Sequence, residues 1–465
     1  MKSVRKRSIW LLAMTMVLAL VLSACGGGGS ETSNGNGEGA AGSTGSGSSD
    51  TGSKLPYEGV TLKAVLIGGG MYEEMYKNIP KFEQETGAKV EIVFKGNYFD
   101  LDKKIKLDFA ANTVDFDVFS NHSSFYTQYL DATEPLNNYL SEEDSQDFMP
   151  IILEQLTKDG NLYVLPRHAD ISLFLYRKDL FDDPKLQADY KEKTGNDLKV
   201  PETWDEFKDI ALWWGNRDGV YATQFAGKEE ALSGRFLELL NANGAEFLSE
   251  DLKKVNFNGP EGVKAAQLFQ DLYKAGAMPP GMVNFLWDEV AKNFANGTIL
   301  MYTDWYSSYE SFQDPENSKV SGKIGFARQP KGDGGVHGGW AGAHGFSVTK
   351  SSKNKEAAAA LVKFLTSEEV QYEESTRGYL AVRNSVADRL IEDAKADGDQ
   401  IKVDLMELAK LQISEDFKTP PLVPTWIPIS NVLFPELQRI ILGDIDAQGG
   451  LDVAAKAAQD ILDGK

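Results

Sequence analysis

The sequence predicts an α/β protein with room for two lobes, and three observations carry that prediction. Short apolar and β-branched runs alternate with stretches whose apolar residues recur at helical spacing, the pattern of a mostly parallel sheet covered on both faces. From about Leu55 onward some 410 residues, drawn from a chain with 11% aromatic side chains, are enough to bury more than one core. The single cysteine, Cys25, lies outside that stretch, so the folded part must hold together without a disulfide or a thiolate metal site.

Thr61 to Ile67 reads as the first strand, stopped by Gly68-Gly69-Gly70, and Met71 to Thr86 as the helix that follows. Lys89 to Phe94 is a second strand, Leu101 to Ala111 a helix, and Phe116 to Ser120 a third buried strand leading into Asn121-His122. In such sheets ligands sit beyond the carboxyl ends of the strands, which makes Gly68 to Met71, Gly96 to Tyr98 and Asn121-His122 the first candidate loops. Leu162 to Pro166 and Leu173 to Tyr176 read as two separate strands. The ionisable run Arg167-His168-Ala169-Asp170 between them suits a crossing from one lobe to the other. Thr203 caps a helix opening at Trp204 with an acidic first turn. Gly262 to Lys274, Trp287 to Asn296, Ala357 to Thr366 and Asp452 to Leu462 are predicted helices. Ile299 to Thr303 and Lys323 to Ala327 are predicted strands.

Ahead of all this, Lys2, Arg5, Lys6 and Arg7 precede an apolar run from Ile9 to Leu22 that is too short to span a bilayer and ends in small residues. Leu22-Ser23-Ala24-Cys25 resembles the lipobox of bacterial lipoproteins, which implies a signal peptide over residues 1–24 and a lipid on Cys25. Residues 25–54 are dominated by Gly, Ser, Thr, Asn and Ala and cannot bury a core; as a tether they reach roughly 30 Å. The expected location is the outer face of the cell membrane, held there through the lipid anchor only. Without the four basic residues of the leader the formal charge moves from −21 to −25, with 44 basic against 69 acidic side chains. That balance argues against nucleic acid or an anionic membrane surface as a partner.

Five stretches then carry a family resemblance when taken in order: Asn161 to Pro166, Leu175 to Phe181, Pro201 to Phe207, Phe294 to Met301 ahead of Trp305, and Asn354 to Ala358 ahead of Phe364 to Glu369. Together they resemble the extracellular solute-binding proteins of bacterial ABC importers, in the carbohydrate-binding branch typified by maltose-binding protein. The insertion Asp183 to Val200 departs from the pattern. The resemblance implies a two-lobed periplasmic-binding-protein-like fold with a ligand cleft between lobes joined by hinge crossings. It implies residues 55–168 and 338–384 for lobe one and residues 169–337 and 385–465 for lobe two. It also implies a sugar ligand, importer permease subunits as partners, a monomer, and no cofactor.

A sugar offers C–H faces that stack on aromatic rings and hydroxyls that need directional donors and acceptors. Trp305 stands where the resembling family stacks a tryptophan on sugar, beside Asp304 as a hydroxyl acceptor; a core tryptophan is the alternative. Trp340, one large ring among the small residues of Gly338 to Gly345, reads as a platform or as a structural ring at a hinge. Trp426, after the rigid Pro420 to Thr425, reads as a ring over the ligand or as core. Asp170 matches the family spacing of an acidic ligand-binding residue after a proline, with an ion pair to Arg167 as the alternative. Arg167 and His168 suit hydroxyls or the carboxylate of an acidic sugar. Asn121 and His122 follow a strand end and suit hydroxyls or a structural role. The four histidines, His122, His168, His337 and His344, show no metal-ligand spacing, and no catalytic motif is present, so neither a metal nor an enzyme is expected. The same fold serving an acidic or non-sugar solute, or presenting its ligand to a sensor, stays open, as does, more remotely, a secreted carbohydrate-active enzyme.

Overall fold

The computed structural model describes residues 55–69 and 72–465. Residues 1–54, which hold the expected signal peptide, Cys25 and the whole expected tether, lie outside the described residues, as do Gly70 and Met71 of the first candidate loop.

β1 (Thr61–Ile67) is buried along most of its length and feeds α1 (Glu73–Thr86), which stops at Gly87 in the left-handed conformation. β2 (Lys89–Gly96) leads to α2 (Tyr98–Ala111), whose N-terminus is capped by the Asn97 side chain accepting from the Asp100 N–H. β3 (Val118–His122) completes a parallel trio in which β1 lies between β2 and β3.

The remaining strands turn the sheet mixed rather than mostly parallel. β4 (Leu165–Arg177) is a single 13-residue strand, so Arg167 to Asp170 lie inside it and not in a crossing between two strands. Its first half pairs antiparallel with β7 (Ala341–Val348), which is in turn antiparallel to β3. Its second half pairs antiparallel with β5 (Met301–Trp305) and β6 (Ile324–Ala327). The sheet therefore has seven strands, running β6-β4-β7-β3-β1-β2 with β5 also on β4. The glycine-rich stretch around Trp340 is not open backbone: β7 is buried at every residue.

Two hydrophobic cores flank β4. One gathers Leu62, Val65, Phe82, Val118, Phe119, Val348 and Leu361, with α8 (Lys355–Leu365) closing over the sheet. The other gathers Phe207, Phe236, Phe269, Trp426 and Ile440 from α3 (Trp204–Trp214), α4 (Glu229–Ala242), α5 (Pro260–Lys274) and α12 (Trp426–Leu442). Thr203 caps α3 by accepting from the Glu206 N–H, as its position before Trp204 predicts. α6 (Trp287–Ala295), α7 (Tyr306–Gln313), α9 (Glu368–Ser375), α10 (Asn384–Asp397), α11 (Gln400–Asp416) and α13 (Ala447–Leu462) complete the elements that bear on the site. Among the described residues no helix is long and apolar enough to cross a membrane.

Candidate functional site

Strand register builds the polar half of the site. His344 on β7 pairs with His122 on β3 at one side and with His168 on β4 at the other, so three of the chain's four histidines stand on one rung. Cross-strand neighbours share a face of the sheet. The His168 and His344 rings stack at 4.3 Å with planes 9° apart, and the His122 ring lies 4.4 Å from His344. Gly342 makes this possible, because a Cβ there would stand 2.4 Å from His122 Nε2. Tyr98, at the start of α2, packs against both His122 and His344, and Tyr72, just ahead of α1, lies 6.2 Å from His168. Three residues at the carboxyl ends of β1, β2 and β3 thus converge on this rung. The sequence spacings 122, 168 and 344 carry no trace of it, since only the pairing of β7 with both neighbours creates it.

Each ring has a defined hydrogen-bonding state, assigned from its partners. Arg167 Nη1 lies 3.0 Å from His168 Nδ1, and a guanidinium only donates, so His168 carries its proton on Nε2. The Ser124 N–H donates to His122 Nδ1 at 3.1 Å, which likewise leaves the proton on Nε2. His344 Nε2 donates to Asp170 Oδ2 at 2.8 Å, and its Nδ1 makes no hydrogen bond to a described residue. Burial holds His122 and His168 well below the usual imidazole range, and the neighbouring His344 adds to the effect in both. Asp170 also accepts from Ser307 Oγ at 3.5 Å, which ties the rung to the start of α7.

Ligand atoms of His168, Asp170 and His344 lie within 4.8 Å of one another, close enough to raise the question of a metal ion. His168 Nε2 carries a proton because Arg167 donates to Nδ1, and His344 Nε2 donates to Asp170, so these two nitrogens would have to lose a proton to bind an ion.

Arg167 is not open to a ligand. Its side chain is 2% exposed, and its Nε lies 2.8 Å from Glu374 Oε2 on α9, itself 1% exposed. Burial pushes the Glu374 carboxyl up while Arg167 opposes it. The Arg167 charge is paired with Glu374 and its Nη1 faces His168 Nδ1, while Nε and Nη2 make no hydrogen bond to a described residue. Asn121 is buried as well: its amide donates to Ser347 Oγ on β7 and its oxygen accepts from the His122 N–H, so it braces the rung.

The apolar half of the site adjoins this rung along β4. Ser172, two residues beyond Asp170, pairs with Trp305, and its N–H donates to the Trp340 carbonyl. Trp305 and Trp340 meet edge to face at 4.9 Å, and Trp287 from the start of α6 packs 5.5 Å from the first and 5.6 Å from the second. Arg235 stands 5.1 to 5.9 Å from all three rings, fixed by Glu238, Ser172 Oγ and the Thr303 carbonyl. Trp340 is 5% exposed and its ring crosses α4 over Gly234, where a Cβ would come within 2.3 Å of it. Gly234→Ala is expected to displace the ring and cost roughly 1–3 kcal/mol of stability, read by urea unfolding. Trp287 and Arg235 were not legible as site residues, because neither sits in a motif.

Asp304 lies behind Trp305, 3% exposed, and burial pushes its carboxyl up to about 6 against the Trp305 N–H and Arg235. The folded state therefore holds this proton more tightly than the unfolded chain, and the group costs stability above about pH 6, a cost that fades as pH falls toward 4. Asp304→Asn is expected to raise stability by up to about 3 kcal/mol at pH 8 and to lose that advantage at pH 4, as measured by thermal melts across the range.

Trp426 corrects the expectation of a ring over the ligand. It is 0% exposed, packs edge to face on Phe247, and donates from Nε1 to Glu230 at 2.7 Å. The proline-rich stretch ahead of it delivers α12 into the second core. His337 stands apart from the other histidines, against the Gln329 carbonyl.

A two-lobed α/β scaffold that sets a polar rung beside an aromatic wall along the strand common to both cores is the layout of a ligand-capturing protein. The chain belongs to the bacterial extracellular solute-binding protein family, whose model matches residues 68–372. A putative binding protein of Brucella abortus is 26% identical over 399 residues, covering 85% of this chain and 90% of that one. The mannitol-binding protein of Pseudomonas aeruginosa is 28% identical over 243 residues, 50% of this chain and 52% of that one. Among solved structures, maltose-bound MalE3 of T. maritima superposes with a TM-score of 0.74 at 25% identity, covering 86% of this chain and all of that one.

Proposed function

We propose that the protein is the extracellular substrate-binding component of an ABC importer, capturing a carbohydrate in the cleft between its lobes and delivering it to the permease. The contiguity of the His122-His344-His168 rung, with Asp170, and the Trp287-Trp305-Trp340 wall supports this reading most. Hydroxyls meet the first and C–H faces meet the second. Maltose and mannitol, named for two of the relatives, are neutral and polyhydroxylated. Lobe one is taken as residues 55–168 and 338–384, and lobe two as residues 169–337 and 385–465, with hinge motion where β4 and the Trp340 segment pass between them. Closure follows from the ligand's higher affinity for the closed form. The protein works as a monomer and performs no catalytic step.

A thermal-shift panel of neutral and acidic sugars and polyols tests this. A true ligand present at 100 times its dissociation constant stabilises the fold by about 2.7 kcal/mol. No shift with any member would remove the carbohydrate reading.

Cys25 carries the lipid in the same reading, and the chain acts from the outer face of the membrane. Cys25→Ser is expected to move the protein from the membrane fraction to the medium, as followed by immunoblot; retention in the membrane would refute the anchor.

A further inference from the structure

We propose that Arg235 is a positioning residue for the tryptophan wall, holding Trp305, Trp340 and Trp287 in their orientations by way of Ser172. This rests on the carbohydrate reading above and adds to it a residue that touches no ligand. Arg235 is buried on α4, and its charge is met by Glu238, one turn along the same helix, at 3.0 Å. The rest of its fork points at the supports of the wall. Nη1 donates to Ser172 Oγ at 2.8 Å and Nη2 to the Thr303 carbonyl at 3.2 Å. Ser172 stands opposite Trp305 in the pairing of β4 with β5, and Thr303 lies two residues before Trp305 on β5. The guanidinium therefore grips both strands at the place that sets this ring.

Ser172 carries the grip on to Trp340. Its N–H and its hydroxyl both donate to the Trp340 carbonyl, at 3.0 and 3.1 Å. A serine hydroxyl has one proton to give and lone pairs to receive, which suits it to a place between a guanidinium and a carbonyl. The Ser172 carbonyl in turn accepts from Gln412 Nε2 on α11 at 3.1 Å, and Gln412 Oε1 accepts from the hydroxyl of Tyr306, the chain neighbour of Trp305. The guanidinium also lies 5.1 to 5.9 Å from the three ring centres, within the range of cation–π attraction. β4 and the Trp340 segment are the two crossings proposed between the lobes, so the node at Ser172 joins the wall to both. Rings held ready in this way spare the ligand the entropy of ordering them on binding. Lysine would keep the charge facing Glu238, but a point charge on a flexible stem cannot hold two strands and face three rings at once.

The test is calorimetric titration of the intact protein and its variants with the sugar and polyol panel above, maltose and D-mannitol included. Near-ultraviolet circular dichroism of the ligand-free proteins is recorded alongside, because it reads how the indoles are set. Arg235→Lys is expected to change the tryptophan bands and to weaken the panel member that binds about tenfold. In a Trp305→Ala background the same substitution should cost no more than about threefold, because the ring it positions is gone. Ser172→Ala leaves the Arg235 and Glu238 pair intact and should reproduce the band change with a smaller loss of affinity. Thermal melts of each variant keep every titration well below unfolding, where a residue that only stabilises the fold leaves affinity untouched. Unchanged bands and affinity in Arg235→Lys overturn the proposal and leave carbohydrate capture standing. Equal losses with and without Trp305 also overturn it, since the guanidinium then acts independently of that ring. Ser172→Ala with neither effect overturns the route through the hydroxyl. Wild-type protein that binds no panel member, while the bands still shift in Arg235→Lys, places the failure in the carbohydrate reading and removes the sugar-facing role of the wall that Arg235 holds.

Discussion

Trp305→Ala is expected to weaken binding of the cognate sugar about tenfold to a hundredfold, the loss of roughly 1–3 kcal/mol of apolar contact. The size follows from where the ring stands. Trp305 ends β5 opposite Ser172 and remains partly exposed, with one edge against Trp340 and another against Trp287. Removing it takes away the partly exposed ring surface proposed to meet the sugar and leaves Trp340 and Trp287 unsupported on one side. Trp340→Ala should weaken binding as much, but it empties a buried position over Gly234 and so should also lower the melting temperature. The two variants together distinguish a stacking surface from a packing one, and calorimetry paired with thermal melts reads both. Unchanged affinity in both would move the site away from the tryptophan wall.

The second large effect concerns Glu374. Its replacement by alanine leaves the Arg167 guanidinium buried at 2% exposure without its counter-charge, and breaking one partner of such a pair costs about 3–5 kcal/mol. Urea unfolding of Glu374→Ala should show that loss. Replacing both partners by apolar residues, Arg167→Met with Glu374→Leu, should recover most of the stability, because well-packed apolar substitutes for a buried pair are often neutral or better. Sugar binding should not recover with it. Without Arg167 donating to Nδ1, His168 is free to move its proton off Nε2. Stability rescued without affinity would mark Arg167 as a positioning residue for the imidazole.

Much of the architecture could be read from the chain because periodicity is a local property. The predicted strand at Thr61 to Ile67 coincides with β1, the predicted helix start after Thr203 with α3, and Gly262 to Lys274 falls within α5. What periodicity missed shares one physical cause: partners distant in sequence. Arg167 to Asp170 looked like a polar segment between two strands, yet it lies inside one strand, buried as far as Ala169, because Glu374 and His344 pair with Arg167 and Asp170 from about 200 residues away. The small residues around Trp340 read as the setting of a platform or a hinge. Those after it form β7, where Gly342 leaves room for His122, while Gly234 on α4 leaves room for Trp340. Trp426 looked like a cleft ring because a proline run precedes it, and the partner that buries it, Glu230, lies on α4. The sequence singles out Asp170, Trp305 and His168 as candidates, whereas the geometry joining them to His344, Trp287 and Arg235 exists only once β4 has its neighbours.

Titration of the intact protein with neutral sugars and polyols, followed by tryptophan fluorescence, tests the central claim most directly, since Trp287, Trp305 and Trp340 form the wall and report on whatever contacts it. The account predicts a saturable change with at least one neutral ligand, lost in Trp305→Phe combined with His168→Phe. A saturable change that survives that double substitution, or no change with any member of the panel, would contradict it.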